Sequence, residues 1–273
     1  TFVEGHAYLL PSVFENPVRD LQIQWKSCGT LVGSFNFLMY GSLTYVGERL
    51  TGNKAYAQSA TAFWLFGVGC LNSFTNYAHH TYHLPQTPIV KWVAFIVSML
   101  ELVILLKVMF DLARAMQKKA SPFCGRASWL NHAKWWTGTM LLYSIVISVP
   151  NLNSIVHGTH VIVAHAMGTT IGIDTLVLLG TGCWLIGETG GTRVLPRLDC
   201  GLQRASVRWI STLLALLVAW LIVAGTVHGM HRYEGLPTPY WVAGSRWVLP
   251  LCGGAMGAWL VVVAVRMLSM LRR

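Results

Sequence analysis

Charged side chains are scarce in this sequence: 11% of its 273 residues, against 54% hydrophobic, with a mean hydropathy of +0.52. Ordinary soluble domains carry about a quarter charged residues, so that class is excluded. Also missing are a Walker loop, a dinucleotide-binding glycine fingerprint, a Gly-x-Ser-x-Gly elbow and any internal repeat. Phosphate-cradling, Rossmann-type and hydrolase-elbow chemistry therefore have no anchor here. The six cysteines (28, 70, 124, 183, 200, 252) form no Cys-x-x-Cys pair and mostly fall inside or beside apolar runs, so they read as small buried hydrophobes. The glycines are scattered, and read as points of close helix packing.

Long apolar runs take up the chain instead. Seven can be drawn at roughly the twenty residues that a ~30 Å hydrocarbon core requires, at about 29–47, 57–78, 89–113, 133–150, 158–186, 208–228 and 242–268. The fold class expected is all-α, a polytopic membrane helical bundle of about seven transmembrane helices. Lys and Arg orient it. Arg114, Lys118, Lys119, Arg126 and Lys134 join the third and fourth runs, Arg193, Arg197, Arg204 and Arg208 the fifth and sixth, and Arg266, Arg272 and Arg273 close the chain. The opposite connections, around 79–88, 151–157 and 229–241, hold only Arg232. The N-terminus is thus expected on the outer face and the C-terminus in the cytoplasm. The net charge of +10 is a topology signal; the partner it implies is the lipid bilayer, with no nucleic acid. Residues 1–27, with Glu4, Glu15 and Asp20, read as an outer-face segment ahead of a transmembrane domain over 28–273. Thr1 is not an initiator residue, and no charged n-region with a cleavage site precedes the first run, so a processed or partly represented chain is expected.

Histidines cluster beside these runs, at NYAHHTYHLP (76–85) and NSIVHGTHVIVAHAMG (153–168). Ionisable groups at membrane depth are costly unless they pair, ligate a metal or line a polar cavity. His79 and His80 are adjacent, so on a regular helix they diverge by about 100 degrees and share an ion only if the helix loosens; Pro85 and Pro88 give it reason to. They read either as a non-haem metal site or as an interfacial polar cluster bonded to loop carbonyls. His157, His160 and His165 fall on one broad helix face by spacing. Small neighbours of His165, namely Ala164, Ala166 and Gly168, leave room for a flat macrocycle. Glu101 is an acid in mid-span and a functional candidate by default; Lys107, six residues beyond it, offers it a local ion pair instead, and Asp174, nine residues past His165, is a second intramembrane acid to which no motif gives a role.

Taken in order, RLTG (49–52), the His79–His80 pair, Glu101 within SMLELV (98–103), HGTH (157–160) with His165 eight residues after His157, and AGTVHGMHR (224–232) resemble the catalytic subunit of the haem-copper oxidases. Within that superfamily the chain resembles the nitric oxide reductase large (catalytic, cytochrome b) subunit, over helices six to twelve, from about Cys28 onward. The resemblance implies reduction of NO to N2O at a haem/non-haem metal centre in the inner (cytoplasmic) membrane. It implies a high-spin haem b on His165, a non-haem iron or copper on His79 and His80, and Glu101 as the acid on the proton route. His157 and Met167 are further cofactor-binding candidates. The partners implied are another membrane subunit supplying the missing half, and a cytochrome c or cupredoxin-like electron donor on the outer face.

Departures from the family pattern shape the alternatives. The third metal-binding histidine of the family falls at Cys28, and the Glu that nitric oxide reductases add four residues later falls at Val32. Val3 to Gly5 resembles the family's acid-bearing string, but Glu4 is too far from His79 for one helix hairpin. The low-spin haem is doubtful, because its ligand position is Met167; methionine can ligate haem iron only if another chain supplies the second ligand. Two other readings therefore stand beside the enzyme: a non-catalytic haem-binding or structural subunit of a larger redox complex, and a haem-copper oxygen reductase.

Overall fold

The computed structural model describes residues 10–19, 22–23, 32–53, 55–75, 87–118, 124–189, 200–244 and 247–271. Helices meet all seven apolar runs, and no strand occurs among the described residues. A wide π-helical turn, Val32–Asn36, leads into α1 (Phe37–Thr51), followed by α2 (Ala60–Thr75), α3 (Pro88–Lys118) and α4 (Cys124–Ile147). A short helix, Pro150–Val156, precedes α5 (His160–Thr169), which continues through a π-helical segment, Thr170–Thr175, into α6 (Leu176–Thr189). Then come α7 (Cys200–Tyr233), a turn at Tyr240–Gly244 and α8 (Val248–Leu271). Among the described residues four stretches are long and apolar enough to cross a membrane: Pro88–Ala115, His160–Glu188, Gln203–Tyr233 and Tyr240–Ser269. Helix α1 continues the π-helical turn without a break, so that the rod runs over 32–51, about the length that a full crossing takes; α2 is described over 16 residues.

Local chemistry sets the helix ends. RLTG is the C-terminus of α1: Gly52 adopts φ +71°, and its N–H donates to the Glu48 carbonyl at 3.0 Å, closing the last turn with a left-handed residue. Pro150 opens the short helix at a position where its missing N–H costs nothing. HGTH is a turn. His157 is extended at ψ 139°, Gly158 takes φ +73°, and the Thr159 hydroxyl caps α5 by accepting from the Val161 N–H at 3.3 Å.

Glycines bring the long helices together. A side chain at Gly225 would fall on the Val161 and His160 backbone, and one at Gly229 on the Ile155 carbonyl, so α7 lies directly against α5 and the turn before it. Along the α5–α6 rod, Gly168 receives Met140, Gly172 receives Trp136, and Gly180 receives Trp129 and Leu130, all from α4. The buried core runs from Tyr40 and Leu43 on α1 through Trp129 on α4 to Leu214, Leu217 and Leu221 on α7. Beside this core the buried amide of Gln203 accepts from the Trp129 indole N–H at 2.5 Å. Outward, α3, α4, α7 and α8 present Leu100, Val103, Phe110, Leu142, Leu216, Val223, Val261 and Val265. So continuous an apolar surface suits lipid and not water.

Candidate functional site

Glu101 is buried on α3 at 4% exposure. The Tyr40 hydroxyl, from α1, donates to one carboxylate oxygen, and the Asn72 amide, from α2, to the other. Asn72 is held in turn by Ser98, whose hydroxyl donates to its Oδ1 at 3.2 Å. Three helices thus converge on one acid with both oxygens engaged. Gly69 permits the approach, because a side chain there would strike Tyr40 and Phe37. Lys107 is not part of this set: it pairs with Asp111 at 2.6 Å, one helical turn on, at the exposed side of α3.

A cavity of about 200 Å³ opens beside Glu101, and His157, His165 and Asp174 line it too. On His165, Nδ1 lies 3.3 Å from the Ser144 hydroxyl of α4, which leaves the other ring nitrogen for a ligand. The Tyr143 ring lies 6.3 Å from the imidazole, centre to centre, and its hydroxyl donates to the Val161 carbonyl at 2.9 Å, fixing α5 on α4. Asn153 also faces the cavity; its amide N–H donates to the Ile147 carbonyl at 2.9 Å, while its buried Oδ1 has no partner. Leu102, Leu105, Ile147, Ile162 and Ile173 supply the apolar wall.

The spacing of the three later histidines predicts a common helix face, and the structure differs. Gly158 turns the chain, so α5 begins only at His160, and His157 belongs to the turn before it. His157 and His165 nevertheless line the same cavity, while His157, His160 and His228 line a second one of about 350 Å³. Arg232 of the AGTVHGMHR string donates to the carbonyls of Ile155 and His157, both at 2.7 Å, and so ties that string to the HGTH turn. Met167 packs against the main core and does not line the His165 cavity. Of the small neighbours of His165, only Ala166 borders the cavity; Ala164 lies in the core and Gly168 is filled by Met140.

His79 and His80, with Cys28 and Glu4, lie outside the described residues. Among those described, no group of three or more His, Cys, Asp or Glu gathers to hold a metal ion. The haem fares better on donor chemistry: an imidazole oriented by a hydroxyl and facing a partly apolar cavity is the donor type that would hold a haem iron. Sequence reasoning missed Tyr40, Asn72 and Ser98, and gave Asp174 no role. A polar residue inside an apolar run was the available signal for Asn72.

The family model described as Cytochrome C and Quinol oxidase polypeptide I matches residues 2–268. No curated protein matches the chain.

Proposed function

The chain belongs to the Cytochrome C and Quinol oxidase polypeptide I family, and from that premise we propose that it is a nitric-oxide-reductase-like subunit, combining two NO, two electrons and two protons into N2O and water. It is a multi-pass membrane subunit of the haem-copper oxidase type. One observation carries the finer reading: a doubly held acid, Glu101, and an oriented imidazole, His165, share a single cavity.

In this reading His165 holds haem b, with Ser144 setting the ring orientation. His79 and His80 hold the second metal, an iron or copper, with Cys28 or a partner-subunit residue completing the set. The metal pair, when bound, supplies electrons and the binding of the nitrogen oxide. The chain supplies the rest. Glu101 delivers a proton from a carboxylate whose position Tyr40 and Asn72 fix, and Ser98 fixes Asn72. The isoleucine and leucine wall keeps bulk water from the acid. Met167 serves a second haem only if a partner chain contributes the opposite ligand. We further infer seven spans, an outer N-terminal segment (1–27), a transmembrane domain (28–273), a cytoplasmic C-terminus, the inner membrane as location, a partner subunit with the missing half, and a cytochrome c or cupredoxin-like donor on the outer face.

Oxygen is the second reading, since the family's own description names oxidases. The test is haem and metal content of the complex purified in mild detergent, by pyridine haemochrome and elemental analysis, followed by NO and O2 consumption with a reduced donor. Haem b with about one further iron or copper, and NO consumed faster than O2, is the expected result. Faster O2 consumption selects the oxygen reductase. No second metal makes the chain an inherited scaffold, as the residues at Cys28 and Val32 would suit.

A further inference from the structure

Asp174 is a second acid in the same cavity, and the proton route through Glu101 makes no use of it. It lies 14 residues into the α5–α6 rod from His160, and Glu101 lies 13 residues into α3 from Pro88. At 1.5 Å per residue both sit about 20 Å from the ends that carry HGTH and the 79–88 connection. The two acids are therefore at one depth. Asp174 belongs to the π-helical segment Thr170–Thr175, where the Thr175 hydroxyl also donates to the Thr170 carbonyl, at 2.8 Å. That widened turn puts Thr170, Ile173 and Asp174 on the cavity wall.

The two carboxyls differ in what surrounds them. Glu101 accepts from Tyr40 and Asn72, with the Asn36 side chain as a further partner; among the described residues no side chain donates to Asp174, which is 8% exposed. The other titratable groups on the wall are Tyr40, His157 and His165, and no described Lys or Arg lines it. Among the described residues no fixed cation balances two negative charges there, and two carboxylates sharing a poorly solvated site do not both ionise. The acid with donors is the better anion, and the acid without them the better holder of a proton.

We propose that Asp174 is a proton store, holding with Glu101 one mobile proton in this cavity. In the transfer the O–H bond at Asp174 breaks as one forms at Glu101, and the pair keeps a charge of minus one throughout. Glu101 then delivers from a reservoir at its own depth, whichever oxide the metals reduce.

Infrared spectra of the intact purified complex, taken at mildly alkaline pH where exposed acids are ionised, test this directly. The wild type should show a carboxylic-acid C=O stretch that shifts in heavy water. Asp174→Asn should lose it, and Asp174→Glu should restore it at a displaced frequency. A band that survives in Asp174→Asn overturns the proposal. Should Asp174→Asn fail to accumulate, Asp174→Glu decides alone: the band must move, and an unmoved band is contrary. The readout needs no NO, so a complex that keeps the Asp174 band without consuming NO retains this inference and loses the reductase reading.

Discussion

A carboxylate between packed helices survives only with donors, and Glu101 has Tyr40 and Asn72 among them, from helices that are distant in sequence. Tyr40→Phe should strip one of them while keeping the ring's packing. A hydrogen bond to a charged group is worth roughly 1.5–3 kcal/mol, so thermal unfolding in detergent should show a loss of that order; an unchanged melting temperature would mean that the hydroxyl has another role. Glu101→Gln keeps shape and one acceptor but cannot donate an acidic proton. Turnover should fall by about a hundredfold or more, the scale of general-acid catalysis, with KM for NO little changed; full turnover would remove Glu101 from the proton route. His165→Ala should yield protein without the high-spin haem spectrum, and retained haem in that variant would sink the ligand assignment. Glu101 and His165 were legible in the sequence because an ionisable group in mid-span is expensive and therefore conspicuous. Tyr40 and Asn72 were not, since neutral polar side chains cost little to carry, and their shared partner lies 61 and 29 positions away.

Elements meet where glycine allows backbone to touch backbone. Gly225 and Gly229, four residues apart on α7, form such a contact with α5 and the HGTH turn, and Arg232 locks it through two carbonyls. Gly225→Val should force α7 away from α5 and cost roughly 1–3 kcal/mol, the usual range for overpacking. Gly253→Ala on α8, where nothing lies within 4 Å of the added carbon, is the control and should be neutral or slightly stabilising. Equal melting temperatures for the two variants would show that the α5–α7 contact is not tight in solution. The glycines as packing points were readable in advance, whereas the π-helical segments were not. A reading based on 3.6 residues per turn cannot register an added residue, yet Val32–Asn36 and Thr170–Thr175 bring Asn36, Thr170 and Asp174 to the cavity. Gly158 had the same effect on the histidines: spacing implied one face, and a left-handed residue between His157 and His160 broke it.

Across the whole molecule, apolar run length located the helices because hydrocarbon thickness sets that length. Their ends were less visible. The fourth helix was drawn at 133–150 but covers Cys124–Ile147: polar residues such as Asn131, His132 and Lys134 hid its start, and Pro150 opens the next short helix. Four helices have the length and hydropathy of full spans, so the seven-span arrangement rests on the sidedness of Lys and Arg and can be tested apart from any chemistry. Single cysteines at four exposed positions report it: Asn53 after α1, Thr87 before α3, Glu234 after α7 and Ser269 near the end of α8. A membrane-impermeant maleimide added to cells with a permeable outer envelope should label Thr87→Cys and Glu234→Cys at once. Asn53→Cys and Ser269→Cys should react only after the bilayer is opened, since Arg49 and Arg266 lie beside them on the basic face. The reverse pattern inverts the topology and moves the HGTH turn, with the proposed electron donor, to the cytoplasm. Agreement between Asn53 and Thr87 means that α2 does not cross, which lowers the span count.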